Sequence, residues 1–169
     1  KEEVKKYYGE ILKKSVDLQT NACCTRDSYP KYIKDCIKNI HTEVVESYYG
    51  CGLVIPDCLE GCNVLDLGCG TGMDVYILSQ LVGKNGKVTG IDMTPEQIGK
   101  AIKFQKYHNE KFGFENTAFI EGYIENLEMI ENNSMDVVIS NCVINLCPDK
   151  KVVLEEIFKV LKYGGEFYF

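Results

Sequence analysis

The chain has 169 residues, 45% of them hydrophobic and 26% charged, with a formal net charge of −6. That composition describes one soluble globular domain with a sizeable core, and its acidic balance excludes a nucleic-acid surface built from clustered Lys and Arg. No apolar run reaches the roughly 18 residues of a membrane span, and the polar start Lys1-Glu2-Glu3-Val4-Lys5-Lys6 lacks a signal-peptide pattern, so no membrane partner is expected.

Residues 1–61 read as a helical extension, or lid, of the domain that follows. Val4, Tyr7, Tyr8, Ile11 and Leu12 fall at helical spacing and predict a short amphipathic helix. A polar stretch from Asp17 to Tyr29 follows, carrying the pair Cys23-Cys24. Pro30 suits a first helical position. Ile33, Ile37, Ile40, Val44 and Tyr48 then mark the apolar face of a helix broken near His41 and ended by Gly50, with Leu53–Pro56 as an extended link.

Residues 62–169 alternate strand and helix. Strands are predicted at Asn63–Leu67, Lys87–Ile91, Thr117–Glu121, Met135–Ser140 and from Glu166 onward. The intervening helices are Met73–Val82, a long one from Thr94-Pro95 to Phe112, and one opened by Pro148-Asp149 and ended by Gly164-Gly165. Thr94 and Gln97 have capping-box spacing. Repeated βα units imply a Rossmann-like, doubly wound parallel sheet with right-handed crossovers, whose ligands lie at the carboxyl ends of the strands. Asp66, Gly68, Asp92, Tyr123 and Cys142 fall at those ends. The apolar run Phe167-Tyr168-Phe169 would leave an unpaired edge, so the full protein is expected to continue beyond it.

The first βα turn is Asp66-Leu67-Gly68-Cys69-Gly70-Thr71-Gly72. A strand that ends in glycines before a helix offers bare backbone N–H groups and the positive end of that helix. Aspartate followed by glycines at two-residue spacing resembles the loop of class I S-adenosylmethionine (AdoMet)-dependent methyltransferases more than the dinucleotide pattern G-x-G-x-x-G. Asp92 lies about 20 residues past the last loop glycine, where a carboxylate bonds both ribose hydroxyls. The expected cofactor contacts are therefore Asp66, Gly68, Gly70 and Gly72 in the loop, Asp92 and Met93 after the second strand, and Tyr123 and Ile124 beside the adenine. Tyr49 is expected as a cofactor-facing aromatic and Asn141 as a contact at the end of the fourth strand.

Nine cysteines is many for this length, and the number is odd. Several fall inside predicted strands and helices, which favours reduced thiols and a cytoplasmic setting. No Cys-x-x-Cys pair exists to suggest structural zinc. The segments Asp17–Cys23, Tyr48–Leu53 (Tyr-Tyr-Gly-Cys-Gly-Leu), Gly122–Ile124 and Ser140–Leu146 (Ser-Asn-Cys-Val-Ile-Asn-Leu) resemble the arsenite methyltransferases across essentially the whole chain. That family uses four cysteines in arsenic binding and redox cycling, and the resemblance puts three of them at Cys23, Cys51 and Cys142. The fourth is expected in a segment beyond the end of this chain.

The resemblance implies transfer of a methyl group from AdoMet to trivalent arsenic, with the family's arsenic-binding pair lying partly in the segment beyond this chain. Within the chain, Cys142 at the end of the fourth strand and Cys51 just before the first are the thiolates expected to hold arsenic. Arsenic(III) is a soft centre, and soft thiolates select such centres. The substrate is then arsenite or a thiol conjugate of it. Cys23, or its neighbour Cys24, becomes a resolving thiol, and a thioredoxin- or glutathione-type reductant closes the cycle. Cys36, Cys58, Cys62, Cys69 and Cys147 are expected simply to pack, and His41 and His108 to lie on the surface or a helix face. Two other readings stand beside this one. One is methylation of a small organic molecule, which needs a general base that the end of the fourth strand does not offer. The other is a non-catalytic AdoMet- or metalloid-binding module.

Overall fold

The centre of the sheet is β1 (Asn63–Leu67), whose Val64, Leu65 and Leu67 are fully buried in a computed structural model that describes residues 29–169 and Tyr7. Tyr7 aside, the predicted helix at Val4–Leu12 and the pair Cys23-Cys24 lie outside the described residues. The other strands are β2 (Lys87–Asp92), β3 (Thr117–Glu121), β4 (Met135–Ile139) and β5 (Leu161–Tyr168). All pair in parallel in the order β3-β2-β1-β4-β5, so β1 is flanked by β2 and β4 and the winding reverses there.

Helices cover both faces, which is why the inner strands read as nearly continuous apolar runs. One face carries α1 (Lys31–Ile37), α2 (Thr42–Glu46), α3 (Met73–Val82), α4 (Pro95–Lys103) and α5 (Gln105–Phe112). There Ile33, Val44, Val75, Tyr76, Leu78 and Phe104 pack with Val64, Val88 and Ile139 of the sheet. The opposite face buries Leu65, Leu67, Ile91 and Val138 against Val153, Ile157 and Val160 of α6 (Lys150–Val160). Side chains alternate along a strand, so Asp66 shares the face of Val64 and points towards the side where α2 and α3 lie. No described helix is long and apolar enough to cross a membrane.

Three predicted boundaries shift for identifiable reasons. The helix expected between Pro30 and Gly50 is broken near His41 as predicted, and the His41 Nδ1 accepts from the Glu43 N–H as the cap of α2. Its second half ends at Glu46, ahead of Gly50, where the Thr71 hydroxyl lies 3.3 Å from the Val44 carbonyl and 3.5 Å from that of Ser47. A side-chain donor there meets carbonyls that a helix end leaves orphaned. The long helix before Phe112 breaks at Phe104, which turns into the core with the His41 ring stacked 4.0 Å away. Thr94 makes no side-chain capping bond. Finally, Gly164 and Gly165 lie inside β5 and do not end α6, which stops at Val160. Opposite Met135–Val137 the register is irregular, and Gly164 takes a φ of +81° to absorb the extra residues as a bulge.

His108 takes the helix-face alternative: it lies on α5 and is fully buried. Its ring stacks on Tyr76 at 3.6 Å, its Nε2 accepts from the His41 N–H, and its Nδ1–H donates to the Phe104 carbonyl. Burial holds the imidazole neutral and pushes its pKa down to about 4. The folded pKa lies below the unfolded value of 6.5, so this residue's contribution is complete above that value and is lost as the pH falls towards about 4. The gap in urea midpoint between the native chain and His108→Gln should therefore narrow over that window. A gap that stays constant with pH would show that the ring is not held neutral.

Candidate functional site

The site grows from the turn after β1. Gly68, Gly70 and Gly72 all have positive φ, at +80°, +53° and +85°, which is why glycine recurs at two-residue spacing. The N–H groups of Gly68 and Cys69 donate to the Ile91 carbonyl and lock the turn to the end of β2. Asp92 locks it a second time. One of its carboxylate oxygens accepts from the Gly70 N–H and the other from the Thr94 N–H, each at 2.9 Å.

Two open clefts flank this turn and share Gly68 and Val143. The first, of about 670 Å³, is mostly apolar; Asp92, Met93, Tyr123 and Ile124 line it, together with Leu146 and Cys147. The second, of about 500 Å³, is lined by Tyr48, Tyr49, Asp66, Gly70, Asp74 and Asn141, with Cys142 at its edge. Among the described residues, no lysine or arginine lines either cleft. Burial, together with the charges of Asp74 and Asp92, pushes the Asp66 carboxyl well above the ordinary range. Burial pushes Asp74 up to about 6 against the opposing effect of its hydrogen bonds from Asn141 and Tyr48. Asp92 is also raised by burial, opposed by the Thr94 and Gly70 N–H groups. This is an electrostatic setting for a cation.

Of the residues expected at a cofactor site, Asp92, Met93, Tyr123 and Ile124 line the first cleft. Tyr49, Asp66, Gly70 and Asn141 line the second, and Gly68 borders both. Gly72 lines neither. A Cβ there would sit 2.7 Å from the Phe119 ring, so this glycine lets the start of α3 pack against β3.

Cys51 and Cys142, 91 positions apart in sequence, are joined as a disulfide with their Cα atoms 6.2 Å apart. Both residues are exposed at the cleft rim. Cys23 lies outside the described residues. Of the cysteines expected to pack, Cys69 and Cys147 are buried and Cys36 and Cys62 half-buried, but Cys58 is exposed, so packing does not account for it. Among the described residues no group of three His, Cys, Asp or Glu is placed to hold a metal ion.

The sequence reading missed Tyr48, Asp74 and Val143. Tyr48 and Val143 read there as members of apolar or motif segments without a site role of their own, and Asp74 only as part of a helix. Asp74, two residues past the last loop glycine, is acidic in the first turn of α3, where the helix dipole favours it. Val143 rests on Gly68, where any Cβ would collide with its methyl groups.

Residues 59–169 match the family described as "Methyltransferase domain". The arsenite methyltransferase of Homo sapiens is 57% identical, over 99% of this chain and 46% of the relative. That of Aquipseudomonas alcaligenes is 53% identical, over 99% of the chain and 49% of the relative. Among solved structures, CrArsM, an arsenic (III) S-adenosylmethionine methyltransferase from Chlamydomonas reinhardtii, superposes with a TM-score of 0.80 at 47% identity, covering 83% of this chain and 48% of that one. The chain thus spans about half the length of the relatives it matches.

The Gly68–Val143 contact sets a direct expectation. Gly68→Ala should cost about 1–3 kcal/mol of stability through the collision and the left-handed backbone. The double variant Gly68→Ala/Val143→Ala should show less than the sum of the two single losses in chemical denaturation, because the collision is gone. Additive losses would show that the two residues do not touch.

Proposed function

The chain belongs to the methyltransferase-domain family, and on that premise we propose that it carries the AdoMet-binding core and two arsenic-binding cysteines of an arsenite methyltransferase. The observation that carries this reading is the meeting of Cys51 and Cys142 at the rim of the acidic cleft. Isolated cysteines that merely pack have no reason to converge there from opposite ends of the domain.

The two clefts suit AdoMet in their donor chemistry. Asp66 and Asp74 offer carboxylates to its positively charged methionine end, and Gly70, whose Cβ position is open, lets the ligand lie against bare backbone. Each Asp92 oxygen accepts one N–H and keeps a lone pair for a ribose hydroxyl. Met93, Tyr123 and Ile124 supply apolar surface for the adenine, and Tyr49 faces the same second cleft as the carboxylates. When bound, AdoMet supplies a methyl group activated by a sulfonium.

The substrate chemistry falls to the cysteines. In the dithiol form, arsenite, As(OH)3, condenses with Cys51 and Cys142 to give two As–S bonds and release two waters, and arsenic keeps its lone pair. The protein then contributes proximity and orientation, effects worth up to roughly 7–11 kcal/mol. Methylation leaves arsenic formally pentavalent; two thiols reduce it to the trivalent state and become a disulfide. Cys23 serves as a further resolving thiol, and a thioredoxin- or glutathione-type reductant in the cytoplasm restores the dithiols.

One observation bears on methylation of a small organic molecule. A carboxylate does stand beside Asn141, because Asp74 packs against it. Yet Asp74 is buried and already accepts from Tyr48 and Asn141, which leaves it poorly placed to take a substrate proton.

Cys142→Ser should lower arsenite-dependent turnover by about a hundredfold or more, with AdoMet affinity retained. Unchanged turnover would remove the cysteines from the chemistry. Asp92→Asn should weaken AdoMet binding by about tenfold in calorimetry, the loss expected for a charged hydrogen-bond acceptor. Equal affinity would move the ribose away from Asp92.

A further inference from the structure

Four protein groups converge on the carboxamide of Asn141. Its Oδ1 accepts from the Cys51 N–H at 3.2 Å. Its Nδ2 lies 2.7 Å from the Tyr48 hydroxyl, 2.8 Å from the Gly52 carbonyl and 3.2 Å from an Asp74 oxygen. One assignment satisfies all of these atoms. The amide gives one hydrogen to the Gly52 carbonyl and shares the other between the Tyr48 hydroxyl and the Asp74 oxygen, and the Tyr48 hydroxyl passes its own to Asp74 at 3.1 Å.

The consequence is geometric. Cys51 is gripped on both sides, through its own N–H and through the carbonyl of Gly52, by the residue that immediately precedes Cys142. Cys142 itself has a φ of +61°, a left-handed conformation that a non-glycine residue adopts only when its surroundings impose it. The fit leaves no slack. A Cβ on Gly50 would lie 2.7 Å from the Asn141 Nδ2 and would also collide with the Tyr48 hydroxyl.

We infer that Asn141 is a positioning residue that draws the Cys51 and Cys142 segments into one dithiol site, using Asp74 and Tyr48 as its fixed base. Its use for arsenic rests on the function proposed above; the positioning itself does not. A side chain in this place must accept and donate at once, which an amide does and a carboxylate does not. The site residue expected to contact the cofactor therefore acts first on the thiols.

The test is a thiol–disulfide equilibrium, read far below the thermal midpoint of each variant. Two Cys thiols and oxidised glutathione exchange with the Cys51–Cys142 disulfide and two reduced glutathiones, so the equilibrium constant measures how firmly the protein holds the two sulfurs together. Asn141→Asp removes the donor and sets a second carboxylate against Asp74. It should lower that constant by about tenfold or more, and Asn141→Ala should do likewise. The exchange Asn141→Asp/Asp74→Asn restores the contacts to the Cys51 N–H, to Tyr48 and to position 74, while setting two acceptors together at the Gly52 carbonyl, and should recover part of the loss. A merely structural residue would move the thermal midpoint and leave the equilibrium unchanged, and that result overturns the inference.

Should Asn141→Ala fail to fold, the exchanged pair and Gly50→Ala decide. Recovery in the first and loss in the second support positioning; a native constant in Gly50→Ala, or no recovery in the pair, refutes it. Arsenite titration followed by X-ray absorption separates the two proposals. A native protein that places no sulfur on arsenic, while the equilibrium still depends on Asn141, sinks the arsenic reading alone. Two sulfurs on arsenic in native and Asn141→Ala protein, with equal equilibria, sink the positioning alone.

Discussion

Buried negative charge around one glycine turn is the constraint on which the rest of this molecule depends. Asp66 and Asp74 are less than a tenth exposed, and Asp92 stands at the same turn with its two oxygens tied to backbone. Removing a carboxylate from water costs several kcal/mol unless donors or a counter-charge replace the lost hydration. The chain meets that cost with the N–H groups of Gly70 and Thr94 and with the donors of Tyr48 and Asn141, and it raises the pKa of what is left. Among the described residues no lysine or arginine lines the cleft with them, so its lining stays acidic. Stability and ligand choice are thus set by the same atoms.

The sheet explains why these carboxylates meet. With β1 paired to β2 on one side and β4 on the other, Asp66 lies level with Gly90 and Ile139, and the loops after all three strands open at one end. This much was legible in the sequence. A parallel strand buried on both faces needs apolar side chains throughout, so β1 keeps the boundaries its composition predicts, and the edge strand β3 and the helix Met73–Val82 keep theirs as well. The glycine turn was legible for the same kind of reason, since three positive φ values leave little choice of residue.

What escaped the sequence was decided by contacts between distant residues. His41 and His108 carry no local pattern, yet the N–H of one meets the ring of the other across 67 positions and fixes how α2 approaches α5. Phe104 reads as one more helical residue until the core and the His41 ring draw it out of the helix. Gly164-Gly165 has the look of a helix stop because a bulge and a cap require the same conformational freedom. Asp74 was hidden in an apolar helix. Its meaning comes from Tyr48 and Asn141, which lie 26 and 67 positions away.

The same distinction separates the two sulfurs from a local cysteine pair. Thiols two residues apart are held by their own turn and survive much disturbance elsewhere. Cys51 and Cys142 are 91 positions apart, and besides their disulfide the contacts around them come from distant parts of the fold: Asn141, the Tyr48 hydroxyl and the stretch from α2. That stretch is fastened at Ser47, where the Lys100 ammonium donates to the hydroxyl at 2.7 Å and the Thr71 hydroxyl lies within 3.5 Å of the carbonyl. Thr71 belongs to the glycine turn and Lys100 to the helix that follows Asp92. The thiols therefore meet only when the turn that lines both clefts is correctly formed. In such an arrangement the proximity of the two sulfurs, as distinct from the reactivity of either one, is a property of the folded core.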